Sequence, residues 1–311
     1  MLSPSDRIFI AGARGLVGSS LVRALTDRGC SRLLTPTSAE LDLTEQADVR
    51  RFFAAERPDV AVIAAGLVGG IVANSTEMTA FLYENLMIAA NSIHAAAESG
   101  VGTLLYLGSS CIYPRLAPQP IHEDSLLSGS LEKTNEGYAL AKIAGLKLCE
   151  YYNRDFGRRF ISAMPTNLYG PNDNFDPTHS HVVPGMMRRF HEAKLSEAPE
   201  VVVWGSGTPR REFLHVTDLA EALVMLLDRY DEATTINVGC GRDVTIAELA
   251  EMMKRVTGYP GRIVFDASKP DGTPRKLLDV SRIRALGWTP RIELEDGLRE
   301  TYAWAVREGK L

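Results

Sequence analysis

Tyr138 and Lys142 are four residues apart in a stretch that reads as a helix, so they share one face. A free phenol has a pKa of about 10, and a nearby ammonium favours its phenolate, which makes the tyrosine usable as an acid or base closer to neutrality. The same spacing recurs on amphipathic helices where tyrosine packs and lysine snorkels, so the pair needs company. Ser109 supplies it: the residue follows the strand-like run Leu104–Leu107, at the sheet edge where ligands bind and a hydroxyl can hydrogen-bond a carbonyl. The three side chains together can polarise a ketone.

A second constellation supplies what the ketone would react with. Gly12, Ala13, Arg14, Gly15, Leu16, Val17 and Gly18 place three glycines at intervals of three where a strand meets a helix. Such a turn lets the backbone approach a pyrophosphate closely and points a helix N-terminus at the anion, the arrangement of a dinucleotide site. An NAD site usually ends its second strand with a carboxylate for the ribose 2'-hydroxyl, but here that strand runs into Thr35, Pro36, Thr37 and Ser38. Arg14, inside the glycine turn, is placed to meet a 2'-phosphate, which predicts NADP, with NADPH as hydride donor. Asp42 is a candidate for the adenine side.

The elements that must position these residues follow from the pattern. Strand-like runs at Arg7–Ala11, Arg32–Thr35, Val60–Ala64, Leu104–Leu107 and Ile161–Met164 alternate with helical stretches ending near Arg28, at Ala47–Ala55, Phe81–Glu98 and Tyr138–Phe156. This alternation predicts an α/β protein: a Rossmann-type doubly wound parallel sheet with a smaller C-terminal α/β substrate domain. After Pro165 the chain becomes rich in Pro, Asn and Asp, which is loop chemistry. The boundary is therefore set at 1–165 for the NADP-binding domain and 166–311 for a mainly substrate-binding one, with segments about 211–240 returning to the first.

Composition narrows the partners. A net charge of -5 with interleaved signs offers no basic face for nucleic acid, and no segment has the roughly 18 to 20 apolar residues of a membrane span. Cys30, Cys111, Cys149 and Cys240 lack metal-type spacing, and the N-terminal run enters a strand without a signal-peptide pattern, so a cytoplasmic setting is expected.

Beyond these local readings, the chain resembles the extended short-chain dehydrogenase/reductases and, among them, the GDP-L-fucose synthase family. The likeness covers almost the full length and is carried by GARGLVG, AAGLVGGIVAN, GSSCIYP, YALAK, MPTNLYGPNDNF, SHVVP, VVVWGSGTPRREFLHV and DASKPDGTPRKLLDV. It implies that GDP-4-keto-6-deoxy-D-mannose is inverted at C3 and C5 and then reduced at C4. The order has a chemical logic, because C3 and C5 protons are acidic only while the C4 ketone survives, and Ser109 and Tyr138 can stabilise the enolate oxygen.

The resemblance assigns further roles. Cys111 and His181 match the family's base and acid positions, and histidine titrates close to neutrality. Leu107, Gly108, Pro165, Thr166, Asn167, Leu168, Lys142 and His181 fall on the cofactor side, while Arg189, Trp204, Arg211, Asp271 and Lys276 match substrate contacts. Read without the family, Arg189 is a helix-surface residue and Trp204 a core aromatic. Some members carry arginines after the second strand, where this chain has Pro36 and Ser38. A homodimer paired through the helices Phe81–Glu98 and Tyr138–Phe156 is implied. An enzyme that only reduces C4, or acts on another GDP-4-keto sugar, would share this core; a non-catalytic NADP-binding sensor is a more distant alternative.

Overall fold

In the computed structural model, which describes residues 1–177, 179–269 and 271–311, the apolar runs are strands sealed on both faces. Thr178, in the loop-rich run, and Pro270, in the DASKPDGTP stretch, lie outside the described residues.

The first lobe runs β1 (Ile8–Ala11), α1 (Leu16–Asp27), β2 (Leu33–Leu34), α2 (Gln46–Glu56), β3 (Val60–Ile63), α3 (Ile71–Thr76), α4 (Met78–Glu98), β4 (Thr103–Leu107), α5 (Glu136–Phe156) and β5 (Arg159–Pro165). The chain then builds β6 (Asn167–Tyr169), α6 (Val182–Leu195), β7 (Glu200–Trp204), β8 (Arg210–His215), α7 (Val216–Arg229) and β9 (Ile236–Val238). It ends with β10 (Asp243–Thr245), α8 (Ile246–Thr257), β11 (Arg262–Asp266), β12 (Arg275–Lys276), α9 (Ser281–Ala285) and α10 (Leu294–Arg307).

Six strands form a parallel sheet in the order β2-β1-β3-β4-β5-β9. Its inner strands read as near-continuous apolar runs because helices cover both faces; α1 packs on α7, and α4 on α5. The chain moves one way from β1 to β2 and the other way from β3 onward. The crevice at the C-terminal ends of β1 and β3 is therefore the switch point at which such sheets bind ligands.

A smaller sheet is built around β8, which pairs with β6, β10 and β12, while β7 and β11 pair separately. The side chains of Met187, Phe190, Leu249, Met253 and Leu298 form a second core between α6, α8 and α10. The sequence reading returns the chain to the first lobe from Arg211, whereas Arg210–His215 is a strand of the small sheet and the return begins with α7. The reason is that β8 is shared: Phe213 packs into the second core and Leu214 into the first.

Glu212, on this shared strand, is completely buried. Its carboxylate accepts the Gly241 N–H at 2.6 Å and the Leu278 N–H at 2.9 Å, and its backbone carbonyl accepts from Thr166 Oγ1 at 3.2 Å and Asn167 Nδ2 at 2.7 Å. Burial raises its pKa, and the two amides act against that rise. One side chain thus ties the loop after β9 and the segment after β12 to the strand between them.

Candidate active site

A single cleft of about 1480 Å³ runs from the glycine turn, past the end of β4, to β8 and the loop before β12. Its first end is shaped by the glycines. Gly12 has φ +79°, a left-handed conformation that favours glycine, and a Cβ there would sit 2.9 Å from the Ala65 backbone. A Cβ on Gly18 would overlap the Gly12 carbonyl, so only glycine lets α1 seat against the turn. Gly15 caps α1 with no side chain, leaving the helix N-terminus open for an anion. These features fit a pyrophosphate.

Beside the glycine turn, Arg14, Pro36, Thr37, Ser38 and Asp42 line the same cleft. The strand end carries no acid in sequence, yet Glu40 folds back on it and accepts the Thr37 N–H at 2.7 Å. Hydrogen bonds from Thr37, followed by the field of Arg14, lower the Glu40 pKa, so this carboxylate already has partners. Asp42 accepts from Thr44 N–H at 2.9 Å and from its hydroxyl at 2.7 Å.

Ser109, Tyr138 and Lys142 meet at the middle of the cleft. Ser109 caps the short 3-10 turn Ser110–Ile112, accepting the Cys111 N–H at 3.2 Å, and its hydroxyl acts to lower the Tyr138 pKa. Lys142 is buried, donates to the Leu107 carbonyl at 2.9 Å, and lies 5.7 Å from the Tyr138 ring centroid and 5.1 Å from that of Tyr106. Burial lowers its pKa to about 8. The sequence expects this ammonium to favour the Tyr138 phenolate, but the structure gives the opposite balance. Burial, reinforced by the Cys111 sulfur, raises the phenol well above its usual value against the effect of the Ser109 hydroxyl. Tyr138 is therefore held protonated, as a proton donor.

Cys111 faces the same space. Burial acts to raise its thiol pKa, but the charge of Lys276, the Ser109 hydroxyl and Arg211 outweigh it, and the net shift is downward. His181 precedes the first turn of α6 and lines the cleft; burial lowers its pKa, and no side-chain partner is present among the described residues. Leu107, Gly108, Pro165, Thr166, Asn167 and Leu168 also line the cleft.

The far end holds the second-lobe residues. Trp204 is 52% exposed rather than a core aromatic, because β7 alternates and turns it outward with Val202. The Arg189 guanidinium lies 5.5 Å from its ring centroid and donates to the Val202 carbonyl at 3.3 Å. Arg211 donates to its neighbour's carbonyl at 2.8 Å, and Asp271 accepts from Ser206 N–H at 2.7 Å and Ser206 Oγ at 2.8 Å. Lys276, expected on the substrate, places its Nζ 3.4 Å from Cys111 Sγ.

Two positioning residues escaped the sequence reading. Glu212 aligns the strands carrying Arg211 and Lys276. Asn85, buried on α4, grips the loop after β3 through Leu67 N–H and the Leu67 carbonyl, both at 3.0 Å, beside Gly66 and Lys142. The sequence signal for Asn85 is an amide within a mostly apolar helix.

An open helix end suited to a pyrophosphate, sharing one cleft with a buried serine, tyrosine and lysine, defines a nicotinamide-dependent oxidoreductase. The chain belongs to the NAD dependent epimerase/dehydratase family, whose model matches residues 8–239. It is 58% identical over 307 residues to GDP-L-fucose synthase 1 of Arabidopsis thaliana, covering 99% of this chain and 95% of that one. Among solved structures it resembles a GDP-6-OMe-4-keto-L-xylo-heptose reductase from C. jejuni, with TM-score 0.94, 37% identity and 99% of each chain covered. It also resembles a GDP-L-fucose synthetase from Naegleria fowleri bound to NADP, with TM-score 0.92, 27% identity, and 100% of this chain and 97% of that one covered.

The Gly12–Gly18 contact gives a direct test of the cofactor end. Overpacking costs about 1 to 3 kcal/mol, so Gly18→Ala is expected to weaken NADPH binding by roughly tenfold or more in calorimetric titration. Helical circular dichroism should be retained. Parental affinity in this variant would contradict the assignment.

Proposed function

We propose that the protein converts GDP-4-keto-6-deoxy-D-mannose to GDP-L-fucose, inverting C3 and C5 before reducing C4 with NADPH. The observation that carries this reading is a second acid–base pair, Cys111 and His181, in the cleft that holds Ser109, Tyr138 and Lys142. Reduction alone needs no such pair. The 58% identity to a GDP-L-fucose synthase supports the same substrate, whereas the heptose reductase, at 37%, represents a rival reading.

In this reading the glycine turn and α1 hold the pyrophosphate, Arg14 meets the 2'-phosphate, and Asp42 faces the adenosine. When bound, the reduced nicotinamide supplies the hydride that C4 gains. Cys111 removes the C3 and C5 protons in turn, and His181 returns a proton from a different element. Ser109 and Tyr138 hold the enolate oxygen, and Tyr138 protonates the C4 oxygen on reduction. Burial makes protonated His181 a stronger acid than free imidazolium.

Arg189 and Arg211 are assigned to the diphosphate. Arg189 is exposed and Arg211 half-buried, and their side-chain hydrogen bonds go to backbone carbonyls, which leaves guanidinium donors for an anion. Trp204 offers the nucleobase a face. Asp271, committed to Ser206, shapes the loop beside them.

Incubation with the keto sugar and NADPH is expected to give GDP-L-fucose by NMR, with deuterium from labelled water at C3 and C5. Cys111→Ser should lose that deuterium incorporation. Reduction without inversion, or undiminished exchange in Cys111→Ser, would sink the epimerase reading.

Lys142 sets a pH limit. Its charge is present below a pH of about 8 and lost above it. The field assisting Tyr138 and the substrate oxygen disappears in the same range, so kcat/KM for reduction is expected to fall as pH rises through about 8. A profile flat to pH 10 would refute this role.

We further infer a homodimer. Tyr83, Leu86, Leu140 and Tyr151 are exposed on the packed pair α4 and α5. Light scattering should give twice the chain mass, and Tyr83→Glu should shift it toward the monomer; a parental monomer would overturn the assignment. No helix among the described residues is long and apolar enough to cross a membrane, and the four cysteines are unpaired thiols, which supports action in a reducing cytoplasm.

A further inference from the structure

Lys276 and Cys111 are 165 residues apart in sequence, yet the ammonium nitrogen sits 3.4 Å from the sulfur. The lysine is not a free arm at this position. It ends β12, in register with Arg211 on β8. The next two amides are anchored, Leu277 N–H on Gln119 Oε1 at 2.9 Å and Leu278 N–H on Glu212 Oε2 at 2.9 Å. The Leu277 carbonyl accepts from Ile121 N–H at 2.7 Å, which fixes the strand from its other side. The sulfur is equally constrained, because the Cys111 N–H is held by Ser109 Oγ.

We propose that Lys276 is a positioning residue for the proton-exchange step: its ammonium forms an ion pair with the Cys111 thiolate and aims that sulfur in the free protein. This rests on the reading of Cys111 as the base. It differs from a contact to the sugar or diphosphate, the role that family resemblance gives Lys276.

The surrounding charges support the pair. Arg211, from β8, adds positive field at the sulfur. Tyr138, from α5, stays a neutral phenol. Glu132 is the nearby acid, but it is paired with Arg115 at 3.2 Å, and Arg275 is drawn to Asp243. Lys276 is thus the cation that bonds the sulfur directly. The other thiols stand in contrast: burial pushes Cys149 up to about 12, Cys240 up to about 11, and Cys30 upward as well.

The test uses the full-length protein without substrate. Iodoacetamide alkylation of the Cys111 peptide, followed by mass spectrometry across pH, reads its thiolate. Lys276→Met is expected to move the alkylation midpoint upward by about one pH unit, on the order of tenfold less thiolate near neutrality. Lys276→Arg should move it less. Deuterium exchange at C3 and C5 under saturating substrate should slow in the same order. Native circular dichroism and unchanged NADPH affinity serve as the folding control, and the arginine variant carries the comparison if the methionine variant does not fold.

Two results overturn the proposal. One is an unmoved alkylation profile with a raised KM, the signature of a lysine that acts only on substrate. The other is a shifted profile with exchange at the parental rate. If Cys111→Ser itself exchanged normally, the assignment of the base would fail, while the alkylation profile would still report whether the ion pair exists.

Discussion

A single buried carboxylate sets the geometry on which the reacting half of the cleft depends. Glu212 has no contact with solvent, and its two oxygens bind amides from segments that lie on either side of it in the fold. Removing it would leave the buried Leu278 N–H unpaired, at a cost of about 1 to 3 kcal/mol. Its more specific effect is alignment. With the segment after β12 fixed to β8, Arg211 and Lys276 stand in register as neighbouring cations, and the wall of the small sheet is brought up to Cys111.

Burial is the second organising effect, and it acts with a different sign on each group. It weakens the hold of Lys142 on its proton, strengthens that of Tyr138, and makes His181 easier to deprotonate. Cys111 goes against the trend because two cations and a hydroxyl outweigh desolvation there. The cleft therefore contains a retained phenolic proton and an activated sulfur a short distance apart. This division suits a ketone that must first lend acidity to its neighbours and then accept a proton itself.

The legible parts of this protein were those whose cause is local. The glycine turn was readable because strand, tight turn and helix follow one another directly, and Tyr138 with Lys142 because a helix places residues four apart on one face. Ser109 followed from its position at a strand end. Cys111, His181 and the second-lobe residues entered through family resemblance, since no spacing links them. The return of Glu40 to Thr37 depends on how a loop closes, and the ring faces around Lys142 depend on packing between α5 and β4. The Lys276–Cys111 contact joins the end of β12 to the turn after β4, from opposite halves of the chain, which no local pattern encodes. The shared strand β8 resists assignment to one lobe for a related reason: adjacent residues, Phe213 and Leu214, serve different cores.

Trp204 has a consequence of another kind. Of the three tryptophans, Trp288 is enclosed and Trp304 packs against Phe175, whereas Trp204 stands half in solvent between Arg189 and Lys269 at the end of the cleft away from the glycine turn. Its indole emission is therefore an optical gauge built into the chain. A ligand that covers the ring changes its hydration and its separation from the two neighbouring cations, so occupancy of that end becomes visible as light without any chemical turnover.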